Sequence, residues 1–436
     1  MFGYYVALAL RSLRRNVVLT MLVIAAIGIG IGASMTMLTI FLGLSSDPIP
    51  GKSAQLFAPQ IDNWGPIPGQ NPTGTPDKLP VQLSYQDAQA LMRAHAARRQ
   101  AAMYMTALAV TPADVAQAPF RVAVRATYAD FFGMFDVPFR YGAPWDAADD
   151  AARAPVAVIT RALNDRVFDG ADSVGRLLTL GTDHYRVVGV INKWDPSPRF
   201  FDLNGSLYGG QAQVYLPLSV AVDRHLATAG NQNCQGPLGA GQDAILHSEC
   251  IWLQFWVQLP NASAVRAYRI FLHNYAAEQQ RSGRFNWPAH TALRSVREWL
   301  RYRQVVPTEL RVLMAASFSF LFVCLLNAMG LMLAKFSARA SSVSVRRALG
   351  AQREAIFAQC LVEAGIIGLA GALVGLGLTV LGLLGAQSLL PGSPIRLDSL
   401  DVILTVALAV GATLLAGLYP TWRTAQLQPA WLLKTQ

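Results

Sequence analysis

Four nearly uncharged apolar runs interrupt the pattern of hydrophobic and polar positions. They are Val17 to Leu44, Val312 to Leu333, Leu361 to Leu384 and Val402 to Leu418. A helix needs about 20 residues to cross the hydrocarbon core of a bilayer, and the four runs reach or approach that length. The pattern therefore predicts an α-helical membrane protein with four transmembrane helices, one near the start of the chain and three in its last third.

The long polar region between the first and second runs predicts a folded domain. Short strand-like stretches alternate there with helical ones, which is typical of a mixed α+β fold with two subdomains. Its first part, Ser45 to Pro80, holds eight prolines and four glycines and predicts an extended connector. The predicted organisation is an N-terminus and first helix over 1–44, a large inserted domain over 45–309, and three helices with a tail over 310–436.

Composition and charge agree with a membrane protein and indicate its orientation. Hydrophobic residues make up 53% of the sequence and charged residues 14%, with a mean hydropathy of +0.32, which is unlike a soluble enzyme. Three short segments beside the apolar runs carry net charges of +3, +4 and +2, nearly all of the total of +10. The positive-inside rule places these segments and both termini in the cytoplasm and the inserted domain outside. Membrane lipids are thus expected partners, and nucleic acid is not.

The apolar runs themselves contain small and charged residues that predict specific contacts. The first run is far longer than a signal-peptide core, so we expect it to be a retained anchor. Gly28 and Gly32 in the first run, and Gly371 and Gly375 in the third, are spaced for close helix packing, within one chain or between two. Glu363 is the one acidic residue inside a run. We expect it to lie near the interface or pair with a nearby arginine rather than to relay protons.

No residue pattern in the sequence indicates a catalytic, metal or cofactor site. Gly51-Lys52-Ser53 resembles the end of a phosphate-binding loop, but the first glycine and a preceding strand are missing. The six histidines are scattered, and neither a nucleophile elbow nor an identifiable pair of carboxylates occurs. Cys234 and Cys250 lie in the region expected outside, where oxidising conditions permit a disulfide, and we expect that bond. A zinc site that used them with His247 would lack a fourth ligand.

The basic segment between the second and third runs, residues 334–360, is the most informative stretch. Its apolar residues share one helical stripe: Val345, Leu349, Ile356 and Cys360. Its arginines border that stripe: Arg346, Arg347 and Arg353. Gly350 lies where one short helix would end and another begin. Such an amphipathic element fits a membrane surface or a groove on a partner protein, and the pattern alone favours neither.

Several short motifs resemble those of a known family. They are Ser344 to Ala351 in the basic segment, Leu361 to Ala364 after it, Gly417 to Ala425 with Pro429, Leu433 and Lys434 in the tail, and Pro155 to Ile159, Val174 to Arg176 and Tyr185 to Ile191 in the inserted domain. In this order, and with the one-plus-three arrangement of helices, the sequence resembles the MacB-like and FtsX-like permeases of the type VII ABC transporter superfamily.

The resemblance implies a multi-pass protein of the bacterial inner membrane with a periplasmic inserted domain. Since the chain begins at the first span, it implies a non-catalytic permease subunit that binds no cofactor, with ATP and Mg used by a separate ABC ATPase. A second permease copy or a related permease would complete a dimer, and a periplasmic adaptor and an outer-membrane channel are further expected partners. The ATPase would dock on the basic segment through Val345, Arg346, Arg347, Leu349, Gly350 and Arg353.

The function that the resemblance implies is mechanotransmission. ATP hydrolysis in the ATPase would change the conformation of the periplasmic domain and so drive efflux or export. The alternative is a non-transporting, FtsX-like regulator or sensor that transmits the same motion to a periplasmic partner. One position departs from the family pattern: Ser342 stands where a glutamate often precedes the first arginine of the motif by four residues. This departure is compatible with an asymmetric pair of permeases.

Overall fold

The chain divides into two compact units in a computed structural model. The membrane unit comprises Met1–Ser46 with Val306–Gln436, and the inserted domain comprises Asp47–Val305. The structure describes residues 3, 8, 9, 11, 16–65, 79–112, 117–203, 212–235, 239, 241–338, 343, 345, 350, 352–389 and 399–425.

The described residues form helices and strands that we number in chain order. The helices are α1 (Val17–Ser45), α2 (Tyr85–Ala94), α3 (Asp130–Met134), α4 (Ala147–Ala152), α5 (Arg161–Phe168), α6 (Leu218–Asp223), α7 (Gln242–Leu246), α8 (Ala262–Arg281), α9 (Val296–Tyr302), α10 (Thr308–Ser337), α11 (Arg353–Leu389) and α12 (Ser399–Ala425). The strands are β1 (Leu56–Ile61), β2 (Leu83–Ser84), β3 (Arg99–Thr111), β4 (Phe120–Thr127), β5 (Phe139–Gly142), β6 (Val156–Thr160), β7 (Leu177–Leu180), β8 (Asp183–Ile191), β9 (Val214–Pro217), β10 (Ile251–Gln258) and β11 (Thr291–Ser295).

Among the described residues of the membrane unit, four helices are long and apolar enough to cross a membrane: α1, α10, α11 and α12. This confirms the predicted fold class, with one spanning helix before the inserted domain and three after it. Helix α1 packs against α10 and α11, and α11 also packs against α12. The helices extend beyond the predicted runs, because α10 continues to Ser337 and α11 already begins at Arg353. Both ends of the basic segment are therefore helical.

The inserted domain is built on one mixed sheet. Along its main path the strand order is β11-β1-β10-β3-β4-β9-β6-β8-β5, with β2 on β10 and β7 on β3 and β8. The long strand β3 belongs to both halves of this sheet: Arg99 to Met103 pair with β10, whereas Tyr104 to Val110 pair with β4. Helices α2 and α8 cover a core beside the first half, and α5 covers a core beside the second. Helix α6 contributes to both, with Leu218 and Ala221 in the first core and Val220 in the second.

The predicted connector after α1 is wrong over one stretch, because it contains strand β1. All six residues of β1 are buried, and the strand lies between β10 and β11 in the sheet. Of the eight prolines counted between Ser45 and Pro80, only Pro59 falls in this strand. Pro59 pairs with Leu293 of β11, and the pairing with β10 involves Leu56 and Phe57 instead. The strand thus accommodates a residue without a backbone N–H.

Candidate functional site

The four glycines predicted to pack lie in the contact between α1 and α11 of one chain, each against a side chain of the facing helix. A Cβ atom added to Gly28 would lie 2.6 Å from Val374 Cγ1, and one added to Gly32 would lie 2.7 Å from Leu378 Cβ. On the other helix, a Cβ on Gly371 would lie 2.8 Å from an Ile27 methyl carbon, and Gly375 approaches Ile31 similarly. A Cβ at Gly28, Gly32 or Gly371 would force its neighbour to shift, and one at Gly375 would fit only tightly, so the glycines let the two helices approach.

A buried ionic cluster lies where three of the membrane helices meet. Lys335 Nζ of α10 is 2.8 Å from Glu363 Oε1 of α11, and the side chains are 0% and 2% exposed. The same ammonium group donates a hydrogen bond of 2.9 Å to Thr20 Oγ1 of α1. Glu363 is thus buried inside the helix bundle and paired with a lysine. Its expected pairing with a nearby arginine stays a prediction.

The basic segment is described at only some of the positions predicted to contact an ATPase. Arg346, Arg347 and Leu349 lie outside the described residues. Val345 is exposed, with 57% of its surface accessible. Gly350 has a φ of 98°, a conformation that favours glycine and suits the predicted break between two helices. Arg353 is exposed and is the first residue of α11.

In the inserted domain, Cys234 and Cys250 are joined by a disulfide bond. Next to Cys250, Glu249 receives hydrogen bonds from Arg284 Nε and Nη2 at 2.7 and 2.9 Å. Arg284 also bridges to Asp87, with 2.8 Å between Nη1 and Oδ1. Burial raises the pKa of the Asp87 carboxyl, and the Arg284 charge opposes that shift. The loop that carries the disulfide is thus tied to α2 through a buried ion pair.

A surface cleft of about 790 Å³ lies beside α2, α3 and α4. Its walls carry charges of both signs, since Arg93 and Arg99 line it together with Asp130, Asp146 and Asp150. The Asp150 carboxylate accepts hydrogen bonds from the Ala129 backbone N–H at 2.8 Å and the Trp145 indole N–H at 2.9 Å. Burial outweighs these bonds and raises the pKa of Asp150 to about 6.

The raised pKa of Asp150 predicts that protonation of this one carboxyl favours the folded state of the inserted domain. The folded state takes up a proton near pH 6, whereas the unfolded chain does so only near pH 4. The contribution of Asp150 to the free energy of unfolding therefore falls as pH rises through 6, and from pH 5 to 7.5 the loss is about 1 kcal/mol. Thermal unfolding of the purified chain, followed by tryptophan fluorescence, measures this. Asp150→Asn should lack this component, and parallel pH profiles for the two proteins would contradict it.

Within the described residues, no group of three or more histidine, cysteine or acidic side chains is arranged to hold a metal ion. The cluster of Lys335, Glu363 and Thr20 is the feature that sequence reasoning missed. A signal for the pair exists, because a lone carboxylate in one apolar run and a lysine two residues past the end of another both need a partner in the membrane. Thr20 gives no comparable signal, since hydroxyls are common in membrane helices.

Comparison with known families now identifies the chain. Residues 20–269 match the MacB-like periplasmic core domain, and residues 314–429 match the FtsX-like permease C-terminal domain. The chain belongs to the MacB/FtsX-like family of ABC permeases. The two matched regions correspond to α1 with most of the inserted domain, and to α10, α11 and α12.

The relatives of this MacB/FtsX-like permease include larger proteins. It is 25% identical over 450 residues to the macrolide export ATP-binding/permease protein MacB of Rhodospirillum rubrum, a match that covers 100% of this chain and 61% of that protein. MacB of Escherichia coli strain K12 is 24% identical over 443 residues, covering 98% and 60%. The chain thus spans about three fifths of the length of these relatives.

Among solved structures, the permease is similar to the periplasmic region of MacB from Actinobacillus actinomycetemcomitans. The sequence identity is 11%, the TM-score is 0.36, and the match covers 57% of this chain and 92% of that one.

Proposed function

We propose that this chain is the permease subunit of an ATP-driven ABC system of the MacB-like mechanotransmission type. A separate ATPase subunit would hydrolyse ATP with Mg, and the permease would convert that cycle into a conformational change of its periplasmic domain for efflux or export. The membrane helices would lie in the bacterial inner membrane with both chain termini in the cytoplasm. A second permease copy or a related permease would complete the dimer.

The observation that carries this proposal is the pairing of β1 with β11. Strand β1 is the first strand after α1, and β11 is the last strand before α10. The two pair antiparallel from Phe57 opposite Ser295 to Ile61 opposite Thr291. The first and last strands of the domain are thus neighbours, and helix α9 stands between β11 and α10 along the chain. A movement of α1 relative to α10 would therefore reach this part of the sheet through the chain, on one side by way of α9.

The membrane helices provide a continuous route toward that part of the sheet. Helix α11 begins at the end of the basic segment and packs against α1 through the paired glycines. Helix α10 also contacts α1, where the Ser34 hydroxyl donates a 2.9 Å hydrogen bond to the Ser317 carbonyl. Cores packed in this way transmit displacement because they resist compression. An ATPase docked on the basic segment would therefore move α10 and α11 first, and α1 with them.

Leu349→Asp is expected to abolish association with the ATPase. Of the predicted apolar stripe, Ile356 and Cys360 pack inside the helix bundle, whereas Val345 is exposed, so we assign docking to the part of the stripe around Val345 and Leu349. The substitution places a charge in that part, and a charge buried in an interface without a partner is strongly unfavourable. The measurement is the amount of ATPase that co-purifies with the tagged permease. Leu349→Met keeps the stripe apolar and should co-purify like the wild type. Unchanged recovery with Leu349→Asp would overturn the docking assignment.

The proposed function is tested by purifying the tagged chain from its native membrane in mild detergent. Mass spectrometry identifies the proteins in the eluate, and an assay measures their ATP hydrolysis. An ABC ATPase recovered with an adaptor or an outer-membrane channel would support export. An ATPase recovered with a periplasmic cell-wall enzyme would favour the regulator instead. Recovery of this chain alone, without ATP hydrolysis, would overturn both readings.

A further inference from the structure

We propose that Lys335, Glu363 and Thr20 form a joint that passes movement of the basic segment to α1. The inference rests on the proposed function and assigns one step of it to named side chains. Lys335 Nζ is 2.8 Å from Glu363 Oε1 and 2.9 Å from Thr20 Oγ1, so one ammonium group connects three helices. Thr20 is 4% exposed, and the two charged side chains are buried more completely.

The position of the joint along the chain matches this role. Lys335 is the second residue of the basic segment, and Glu363 lies three residues beyond its end. The ion pair therefore closes the base of the segment, where α10 leads into it and α11 leads out. Thr20 is the fourth residue of α1, whose other end leads into β1 of the inserted domain. The joint thus connects both ends of the basic segment to the helix that precedes the domain.

The energetics make the ion pair a stiff connection. Two opposite charges 2.8 Å apart inside a low-dielectric helix bundle stabilise each other, so separating them is strongly unfavourable. Helices α10 and α11 are therefore expected to move as one body at this level. The two ends of the basic segment then cannot move apart, so a displacement of the segment moves α10 and α11 together.

The hydrogen bond from Lys335 to Thr20 joins α1 to the rigid pair of α10 and α11. Helix α1 has no charged residue between Val17 and Ser45, so a polar connection to it requires a hydroxyl or a backbone group. Two buried threonines of α12 bond within their own helix: Thr405 donates to the Asp401 carbonyl, and Thr413 donates to the Ala409 carbonyl. Thr379 of α11 donates to its own Gly375 carbonyl and also reaches the Gly32 carbonyl of α1, at the longer distance of 3.5 Å. Thr20 instead accepts a charge-assisted bond from another helix, and such bonds are stronger than neutral ones.

The test uses the complex with its co-purified ATPase and three variants of similar size. Thr20→Val removes the hydroxyl and leaves the ion pair, Thr20→Ser keeps the hydroxyl, and Thr413→Val removes a hydroxyl that bonds within its own helix. Each complex is assayed for ATP turnover. Deuterium uptake of the inserted domain is then compared between the nucleotide-free state and the state trapped with ATP and vanadate.

We expect Thr20→Val to retain ATPase binding and turnover but to reduce the nucleotide-dependent change in deuterium uptake roughly fivefold or more. Thr20→Ser and Thr413→Val should behave like the wild type. The double variant Lys335→Met with Glu363→Met removes both charges of this pair and leaves the net charge unchanged, so it should assemble and show the same uncoupling. If the cluster were only structural, the variants would be less stable, and ATP turnover and the nucleotide-dependent deuterium uptake of the domain would fall together.

The outcomes distinguish this inference from the proposed function. If the ATPase is recovered and Thr20→Val responds to nucleotide like the wild type, the joint is wrong and the proposed function stands. If Thr413→Val is uncoupled as strongly as Thr20→Val, the effect is general to the bundle and the joint is again wrong. If no ATPase is recovered with the wild type, both fail, because no driven movement of the basic segment remains to be passed on.

Discussion

Replacing Arg284 with methionine is expected to destabilise the inserted domain by about 3–5 kcal/mol, because it leaves Asp87 buried without a counter-charge. The Asp87 side chain is 0% exposed. It retains hydrogen bonds from the Ser84 hydroxyl at 2.6 Å and the Tyr275 hydroxyl at 2.8 Å, but these neutral donors do not replace a guanidinium. Urea unfolding of the purified chain, followed by tryptophan fluorescence, measures the loss.

Two variants separate the lone charge from other effects of removing Arg284. Arg281→Met deletes an arginine three residues away that is 72% exposed and bonds to the exposed Glu278. Surface pairs of this kind contribute about 0–1 kcal/mol, so this control should unfold nearly like the wild type. Adding Asp87→Asn to Arg284→Met removes the lone charge and should recover part of the stability. An equal loss with and without Asp87→Asn would contradict the assignment to charge.

The membrane helices are predictable from the sequence because each is marked by a long apolar run with almost no charged residue. An unbroken apolar run as long as Val17 to Leu44 predicts a helix that crosses a bilayer, because only a helix satisfies its own backbone hydrogen bonds there. The spacing of Gly28 and Gly32 likewise indicates close packing. That spacing does not name the partner helix, because small residues serve contacts within a chain and between chains equally well. The structure supplies the partner, which is α11 of the same chain.

Features that depend on a few residues are not predictable in this way. Strand β1 has six residues, and the region of 36 residues around it is rich in proline and glycine. The composition of the whole region therefore indicated no regular structure and hid the short strand within it. Lys335 follows the last apolar position of its run by two residues, so charge alone places it in the cytoplasm. Its burial arises from tertiary contact with Glu363, which lies 28 residues away along the chain. A local sequence pattern cannot show a contact between residues that are so far apart along the chain.

The contact of α1 with α11 leads to the second large prediction, that Gly375→Leu disrupts the membrane unit whereas Gly377→Leu does not. Both glycines lie in α11, so the gain in helix propensity is the same for the two variants. A Cβ at Gly375 would lie 3.0 Å from Ile31 Cγ2 and 3.2 Å from the Gly28 carbonyl oxygen, whereas a Cβ at Gly377 meets nothing within 4 Å. Overpacking of this kind costs about 1–3 kcal/mol or more.

Thermal stability of the two variants in detergent, at a dilution where the chain is monomeric on a native gel, checks this prediction. Because the glycine contact lies within one chain, the loss in Gly375→Leu should persist in the monomer. A loss that appears only when two copies associate would instead place the contact of Gly375 between chains. Gly377 faces open space in the folded chain, so Gly377→Leu should lose little stability. A loss as large as that in Gly375→Leu would contradict the prediction, because the effect would then not depend on the contact with α1.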